Sequence, residues 1–253
     1  MKTVKDLVQH LNKYEDAVII VGPGALANQD KNDYSIEEFN DNYNRKALVR
    51  EPNKMWDFFN KNMKKDISEE TLNTYRAIKA FDDVTALIID QNTNSPMMSK
   101  KADLHGSIHN FKCNKCKISY TTNYVYGAEE GHEEYEEGRI VECEVCGGAI
   151  RPTALLSGER YDNVMFLDIQ EKIKASHTLI LVGMDYTEEA LMQLIAEYGD
   201  VKSFINSQET GEEKMLVSIQ TNEEEFDPNE MTFFEFIVKG DITDALLRLK
   251  SAF

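Results

Sequence analysis

The sequence predicts an α/β protein: a doubly wound parallel sheet into which a small cysteine-rich module is inserted. Short apolar runs bounded by charges or glycine alternate along the chain with segments of helical periodicity, which is the pattern of strand–helix units on a parallel sheet. The four cysteines all lie between residues 113 and 146, so they mark one compact insert. A chain of 253 residues is long enough for one large domain with such a module, or for two modest domains.

The apolar runs are predicted to be buried strands, because the strands of a parallel sheet are covered on both faces and are apolar throughout. The runs are residues 17–22, 84–90, 178–183, 201–206, 214–220 and 233–238. Ligands of such sheets bind at the carboxyl ends of the strands. Those ends carry Gly22 and Gly24, Gln91 and Asn92, Gly183, and Asn206.

Helices are predicted where apolar residues recur at helical spacing. The segments are residues 1–14, 68–81, 162–175, 186–199 and 241–253. Ser68 with Glu70, Thr187, and Asp241 are suitable to begin three of these helices. The side-chain oxygens of Ser, Thr and Asp can accept hydrogen bonds from the first free N–H groups. These helices would supply the two outer layers of the sheet.

The chain is acidic: 45 Asp and Glu residues against 28 Lys and Arg residues give a formal net charge of −17. A nucleic-acid partner is not expected, because binding it requires a basic face, and anionic membranes are disfavoured for the same reason. No apolar run approaches the about 18 residues of a membrane helix, and the first residues lack the apolar core of a signal peptide. We therefore expect a cytoplasmic protein, with basic protein segments as the more favourable charged partners.

The cysteines form two CxxC pairs: Cys113 with Cys116 and, after a gap of 26 residues, Cys143 with Cys146. Four thiolates in two such pairs can enclose a tetrahedral zinc ion, and in a cytosolic chain this outranks a disulfide. A closed four-sulfur site leaves no open coordination position, so the predicted zinc is structural. Two unrelated redox pairs remain the alternative. The glutamate-rich residues 126–140 between the pairs are expected to form an exposed loop, with His132 at its surface.

The order of further motifs resembles that of the sirtuin family of NAD-dependent protein deacylases. The matching pieces are GPG at 22–24, QN at 91–92, LHGS at 104–107, CGGAIRP at 146–152, LLSGE at 155–159, LILVG at 179–183, IN at 205–206 and GD at 240–241. The resemblance implies a Rossmann-like domain over residues 1–109 and 153–253, with a helical and cofactor-loop insertion at 28–83. It also implies a zinc-ribbon module at 110–152.

The resemblance also implies a role for individual residues. His105 matches the general base that takes a proton from the NAD ribose, a task that suits imidazole because its ordinary pKa is near neutrality. Gln91 and Asn92 match the pair that binds the nicotinamide ribose, and Asn94 stands where the nicotinamide amide is bound.

The remaining implied contacts concern the rest of NAD and the substrate. Gly22, Gly24 and Gly183 match the phosphate-contacting turns, Asn206 the adenosine-ribose contact, and Gly240 and Asp241 the adenine pocket. Ser157, Gly158 and Glu159 match the strand that pairs with an acylated-lysine peptide or protein substrate.

Several departures from the family motifs concern residues that would bind NAD. Pro23 has no N–H to offer a phosphate, and the family's PDFR stretch is absent. Residues 28–44 instead carry five acids, Asp30, Asp33, Glu37, Glu38 and Asp41, against Lys31. Met184 and Asp185 replace phosphate-binding hydroxyls, Asn94 replaces an aspartate, and Ser157 replaces a phenylalanine of the acyl-lysine wall. We therefore expect NAD to bind weakly, if it binds at all.

Two classes of function follow from this mixture of retained and altered motifs. In the first, the protein is an NAD-dependent protein-lysine deacylase or a closely related NAD-consuming ADP-ribosyl transferase. In the second, it is a catalytically degenerate sirtuin that acts as a ligand-binding or scaffold protein. The enzyme class is preferred because His105, Gln91 and Asn92 are retained.

Overall fold

The structure is a computed structural model that describes residues 3–31, 34–62, 66–121, 125, 141–184, 186–208, 211–221 and 234–253. Its main element is a parallel sheet of six strands: β1 (Ala17–Val21), β2 (Thr85–Asp90), β3 (Lys101–Asp103), β7 (Thr178–Val182), β8 (Met215–Gln220) and β9 (Phe236–Lys239). They lie in the order β3-β2-β1-β7-β8-β9. The predicted doubly wound parallel sheet is therefore confirmed.

A second, antiparallel sheet has three strands: β4 (Phe111–Cys113), β5 (Ser119–Tyr120) and β6 (Ile150–Pro152). Strand β4 lies in the middle and pairs with both of the others. The four cysteines gather beside this sheet, which agrees with the predicted inserted module.

The described α-helices flank the large sheet or form the segment between β1 and β2. They are α1 (Val4–Tyr14), α2 (Ile36–Asn42), α3 (Arg45–Arg50), α4 (Pro52–Asn62), α5 (Glu69–Lys79), α6 (Asn163–Ala175), α7 (Glu189–Asn206) and α8 (Ile242–Lys250). Among the described helices, none is both long and apolar enough to cross a bilayer.

Two of the three predicted helix starts are confirmed. Ser68 and Asp241 cap α5 and α8, because each side chain accepts an N–H from the first turn. Thr187 does not cap α7, since Glu188 is the residue before its first turn.

The apolar interior has three parts. One face of the large sheet packs against α1, α5 and α8, and the opposite face packs against α6 and α7. The third part joins α3 and α4 to the small sheet through Trp56, Phe59 and Phe111. The segment between β1 and β2 therefore shares a core with the cysteine-rich module.

The prediction of a strand at 201–206 is wrong, since these residues form the last turns of α7. The apolar residues Val201, Phe204 and Ile205 recur at the i, i+3 and i+4 spacing of a helix, which is not the pattern of a strand. Phe204 is also 67% exposed, which is incompatible with a fully buried central strand. The strand that follows β7 in the sheet is β8.

Candidate active site

The carboxyl edge of the large sheet collects most of the predicted site residues. Gly22 follows β1, Gln91 follows β2, His105 follows β3, Gly183 follows β7 and Gly240 follows β9. Because all six strands are parallel, these residues project from the same edge. This is where ligands of open α/β sheets bind.

Gly22 and Gly183 are required by a backbone crossing at this edge. A Cβ on Gly22 would lie 2.4 Å from the carbonyl oxygen of Gly183. Gly183 itself has φ +58°, and a Cβ there would lie 2.7 Å from backbone atoms of Gly24 and Ala25. The loops after β1 and β7 are thus in direct backbone contact, which only glycine permits.

The N–H groups of the loop after β1 are all engaged inside the protein. Pro23 has none, and the N–H groups of Gly22 and Gly24 donate to carbonyls of the β7 strand and loop at 2.8 Å. Ala25 and Leu26 donate within the loop's own turn, and Ala27 donates to the Thr71 hydroxyl at 2.8 Å. In this arrangement no N–H of residues 22–27 is available to a phosphate.

A cavity of about 510 Å³ lies between this loop and the start of α8. It brings together Gly24, Gly240 and Asp241, three residues predicted to contact the cofactor, and Lys31 also lines it. Its volume falls in the range of ligand pockets, which is about 300–1,000 Å³. The Asp241 carboxylate accepts the Asp244 N–H at 2.7 Å, so it serves as a helix cap as well.

His105 is held by hydrogen bonds through both ring nitrogens. Its Nδ1 lies 2.7 Å from the carbonyl oxygen of Gln91, and its Nε2 lies 2.9 Å from a carboxylate oxygen of Glu188. The ring also stacks on Tyr161, with 6.0 Å between centroids. Its side chain is 29% exposed and that of Glu188 is 15% exposed, so the pair lies in a recess that remains open to solvent.

Glu188 is a site residue that the sequence motifs do not reveal. The same carboxylate oxygen that contacts His105 also accepts from Gln91 Nε2 at 2.8 Å. Glu188 precedes α7 and follows the loop after β7, and this loop lies beside β1, whose other neighbour is β2. Only the strand order brings this carboxylate to His105, 83 residues away along the chain.

The Asn92 side chain is held by a network of buried polar residues. Its amide donates to the Gly22 carbonyl at 2.9 Å and to the Tyr75 hydroxyl at 3.1 Å, and Tyr75 in turn donates to Asp90. Burial raises the pKa of the Asp90 carboxyl, while nearby Lys101 opposes that shift. The predicted ribose contact of Asn92 therefore competes with hydrogen bonds that the protein already supplies.

Asn94, expected to bind an amide, is nearly completely buried. Its side-chain oxygen lies 2.8 Å from His109 Nε2. Its amide nitrogen is buried with no acceptor among the described residues. An unsatisfied buried donor is costly, and a ligand carbonyl would satisfy it.

Asn206 does not lie at the ligand-binding edge, contrary to its predicted role. It ends α7, and its side chain exchanges hydrogen bonds with the backbone of Lys214 at 2.8 and 2.9 Å. Lys214 immediately precedes β8, so Asn206 lies at the amino edge of the sheet. Its predicted contact with an adenosine ribose is incompatible with this position.

Gln220 occupies the edge position that was expected for Asn206. It ends β8 and is fully buried, and its amide donates to Tyr186 at 2.6 Å. Its side-chain oxygen has no donor among the described residues. The missed signal is the apolar run at 214–220, whose last residue is a polar amide.

The predicted peptide-binding segment is anchored on both sides. Leu155 donates its N–H to the carbonyl of His105 and Ser157 donates to that of Tyr43, each at 2.8 Å. Glu159 pairs with the buried Arg151 guanidinium at 2.5 Å. These bonds fix the segment directly beside His105, while Gly158, at φ +73°, makes its turn.

The four cysteine sulfurs lie close enough together to hold one metal ion. All lie within 4.8 Å of one another, compared with about 3.8 Å between ligands of a regular tetrahedron with Zn–S bonds of about 2.3 Å. Backbone N–H groups of Lys115 and Cys116 point to Cys113 Sγ. The Tyr120 hydroxyl donates to Cys143 Sγ at 2.9 Å. This hydrogen bond, together with those from the backbone N–H groups of Val145 and Cys146, lowers the pKa of that thiol to about 6, which favours the thiolate that binds metal.

The acids of the loop after β1 have structural partners of their own. Asp30 is buried and accepts hydrogen bonds from the backbone and hydroxyl of Ser68, so it fastens the loop to the start of α5. Glu38 accepts from the backbone N–H and the hydroxyl of Ser35 at the start of α2. These two acids therefore have structural roles in the loop and at the start of α2.

Some expectations concern residues outside the described ranges. They are Asp33 and Asp185, named as acids near the phosphates, and the glutamate-rich residues 126–140 with His132.

Comparisons with known proteins identify relatives of this chain. An NAD-dependent protein deacetylase of Staphylococcus aureus is 33% identical over 109 residues, which is 43% of this chain and 41% of the relative. The enzyme of the same name from Staphylococcus epidermidis is 30% identical over the same length. The match thus spans less than half the length of these curated relatives.

Solved structures share the fold over nearly the whole chain. The structure described as "Sir2 bound to acetylated peptide" has a TM-score of 0.69 at 16% identity and covers 99% of this chain and 98% of its own. The one described as "Sir2-p53 peptide-NAD+" has a TM-score of 0.68 with the same coverage. The profile of the Sir2 family matches residues 25–187. By this match over more than half of its length, the chain belongs to the Sir2 family.

Proposed function

We propose that the protein is an NAD-dependent protein-lysine deacylase, or a closely related NAD-consuming ADP-ribosyl transferase. The observation that carries the proposal is His105, whose Nδ1 is fixed by the Gln91 carbonyl at 2.7 Å in a solvent-open recess at the ligand edge of the sheet. A carbonyl oxygen only accepts hydrogen bonds, so Nδ1 carries the proton and Nε2 is the nitrogen that can act as base.

The residues around the recess suit this function in different degrees. The cavity lined by Gly24, Gly240 and Asp241 suits the adenosine end of NAD, and the unsatisfied amide of Asn94 suits a carboxamide. When bound, NAD supplies the electrophilic ribose carbon that accepts the acyl group. The engaged N–H groups of residues 22–27 provide no cradle for the diphosphate, so we propose weak binding.

The segment that ends at Glu159 is proposed to receive the acylated-lysine peptide or protein. It is fixed beside His105, and the similar solved structures described with acetylated peptides make this the chemistry to test first. A basic peptide is the favourable substrate, since the chain has a net charge of −17. We do not propose a nucleic-acid or membrane partner, and a cytoplasmic location stays a prediction.

We further propose that one structural zinc ion is held by Cys113, Cys116, Cys143 and Cys146. The ion would fix the module that carries β4, β5 and β6. It would take no part in the reaction, because the four thiolates fill its coordination shell.

The test is release of nicotinamide from NAD in the presence of acetylated basic peptides, with the peptide mass measured in parallel. His105→Ala should lower the rate by about 10²–10⁴, the usual contribution of a general base, while zinc content and melting temperature stay unchanged. His177→Ala is the matched control, since His177 binds Asp16 outside this site. An undiminished rate in His105→Ala would contradict the proposal.

A second function, that of a degenerate sirtuin acting as a ligand-binding or scaffold protein, is favoured by the engaged N–H groups of the loop after β1. The same assay separates the two. Turnover that depends on His105 supports the enzyme, whereas binding of ADP-ribose without any turnover by the wild type supports the binding protein.

A further inference from the structure

We propose that the Glu188 carboxylate occupies the place next to His105 Nε2 where a ligand hydroxyl would bind. A nucleotide must therefore displace this carboxylate when it binds. The inference deepens the proposed function, and it rests on that function insofar as the hydroxyl belongs to a nucleotide ribose. It makes Glu188 a residue that sets the affinity of this site for its ligand.

The orientation of the His105 ring shows which nitrogen is left for a ligand. In histidine–carboxylate pairs that assist catalysis, the orienting group holds one nitrogen and leaves the other for the substrate. Here the Gln91 carbonyl already orients the ring through Nδ1 at 2.7 Å. Glu188 is bound to the other nitrogen at 2.9 Å, which is the place of a substrate and not of an orienting group.

The proton count leads to the same conclusion. Nδ1 faces a carbonyl oxygen and must carry a hydrogen. The contact between Nε2 and the Glu188 carboxyl then contains a second proton, whichever of the two groups holds it. While this contact persists, His105 has no lone pair with which to accept a proton from a ligand.

Gln91 is engaged by the same carboxylate oxygen, at 2.8 Å from its Nε2. One oxygen of Glu188 thus holds both residues that the family motif assigns to the reacting end of NAD. The other oxygen of Glu188 and the side-chain oxygen of Gln91 are buried with no donor among the described residues. A ribose hydroxyl that takes the place of Glu188 would satisfy the Gln91 oxygen, and the displaced carboxylate would gain water as a hydrogen-bond donor.

Removing the Glu188 side chain should leave α7 intact. Glu188 is the residue before the first turn of α7, yet its side chain makes no capping hydrogen bond there. Its carboxylate instead bonds to His105 and Gln91 across the recess. The variant should therefore change the site more than the fold.

The first test is calorimetric titration of the full chain with ADP-ribose. Glu188→Ala should bind about tenfold more tightly or better, the factor expected for one displaced charged hydrogen bond, and Glu188→Gln should bind more tightly than the wild type. Glu189→Ala, which removes an exposed neighbouring carboxylate, should bind as the wild type does. Equal affinity of Glu188→Ala, Glu188→Gln and wild type would overturn the proposal.

The second test needs no ligand. The ring nitrogen signals of His105, assigned by comparison with His105→Gln, should shift in Glu188→Ala and stay in place in Glu189→Ala. Unchanged signals in Glu188→Ala would overturn the proposed contact.

Failure of this inference and failure of the proposed function give different results. Wild-type turnover of NAD without any gain of affinity in the Glu188 variants contradicts the inference alone. Tighter binding of ADP-ribose by Glu188→Ala, without nicotinamide release by any variant, supports the inference and contradicts the proposed function.

Discussion

At the scale of single residues, the contact between Gly22 and Gly183 determines the shape of the ligand edge. Gly22 has φ −100°, a conformation that any residue can adopt. Glycine is therefore required here only because a side chain would collide with its neighbours. A Cβ at this position would lie 2.4 Å from the carbonyl oxygen of Gly183. Since the atoms on both sides belong to the backbone, neither can yield by a change of rotamer.

We expect Gly22→Ala to destabilise the protein by about 1–3 kcal/mol, the usual cost of overpacking, because the loops after β1 and β7 must separate. Urea unfolding measures the loss. A free energy of unfolding within about 0.5 kcal/mol of the wild type, as is usual for surface substitutions, would show that the two loops approach less closely.

At the scale of elements, local sequence patterns predict strands that are apolar throughout, but they do not predict how far a helix extends. The strands at 17–21, 85–90, 178–182 and 215–220 are evident from their composition. The end of α7 is not, because Val201, Phe204 and Ile205 are β-branched or aromatic residues whose helical spacing is easily taken for a short apolar run.

The same limit applies to the candidate site. His105, Gln91 and Asn92 follow from short motifs that stay together in the sequence. Glu188 and Gln220 do not, because their place depends on which strands are neighbours in the sheet. The role predicted for Asn206 is wrong because its supposed strand is a helix, and the helix ends at the opposite edge.

The cysteine-rich module provides the prediction at this scale. We expect elemental analysis to find about one zinc per chain, as one four-thiolate cluster binds one ion. Cys143→Ser should lose the metal and lower the melting temperature, because β4 and β6 bear on the core that includes Phe111 and Ile150. The matched control is Ser119→Ala, an exposed change in β5, which should keep both metal and stability.

A zinc-free wild-type protein with the same melting temperature would contradict this prediction. Redox chemistry of two separate pairs would then become the better account, and alkylation of reduced and oxidised protein would reveal it.

At the scale of the whole molecule, the affinity for NAD reports how the loops of the sheet edge are arranged. Residues 22–27 direct their N–H groups inward, and each lost hydrogen bond to a charged phosphate is worth about 1.5–3 kcal/mol. Two such losses weaken binding by about a hundredfold or more. We therefore expect NAD to bind much more weakly than it does to proteins with a phosphate-binding turn.

Calorimetric titration of the wild type with NAD and with ADP-ribose measures this affinity. Micromolar affinity of the wild type for NAD would contradict the expectation and would mean that the loop after β1 rearranges on binding. Lys31, which lines the cavity, is the residue to follow in that case.

The core shared by α4 and the small sheet has an optical consequence. The chain contains a single tryptophan, Trp56, which is fully buried and stacks on Phe111 with 6.1 Å between ring centroids. Phe111 lies in β4, which ends at the proposed metal ligand Cys113. The indole therefore contacts a ring that is two residues away from the cysteine cluster. Intrinsic fluorescence of the unlabelled protein therefore monitors the cysteine cluster: a chelator that opens the module exposes the indole to water and moves its emission to longer wavelength.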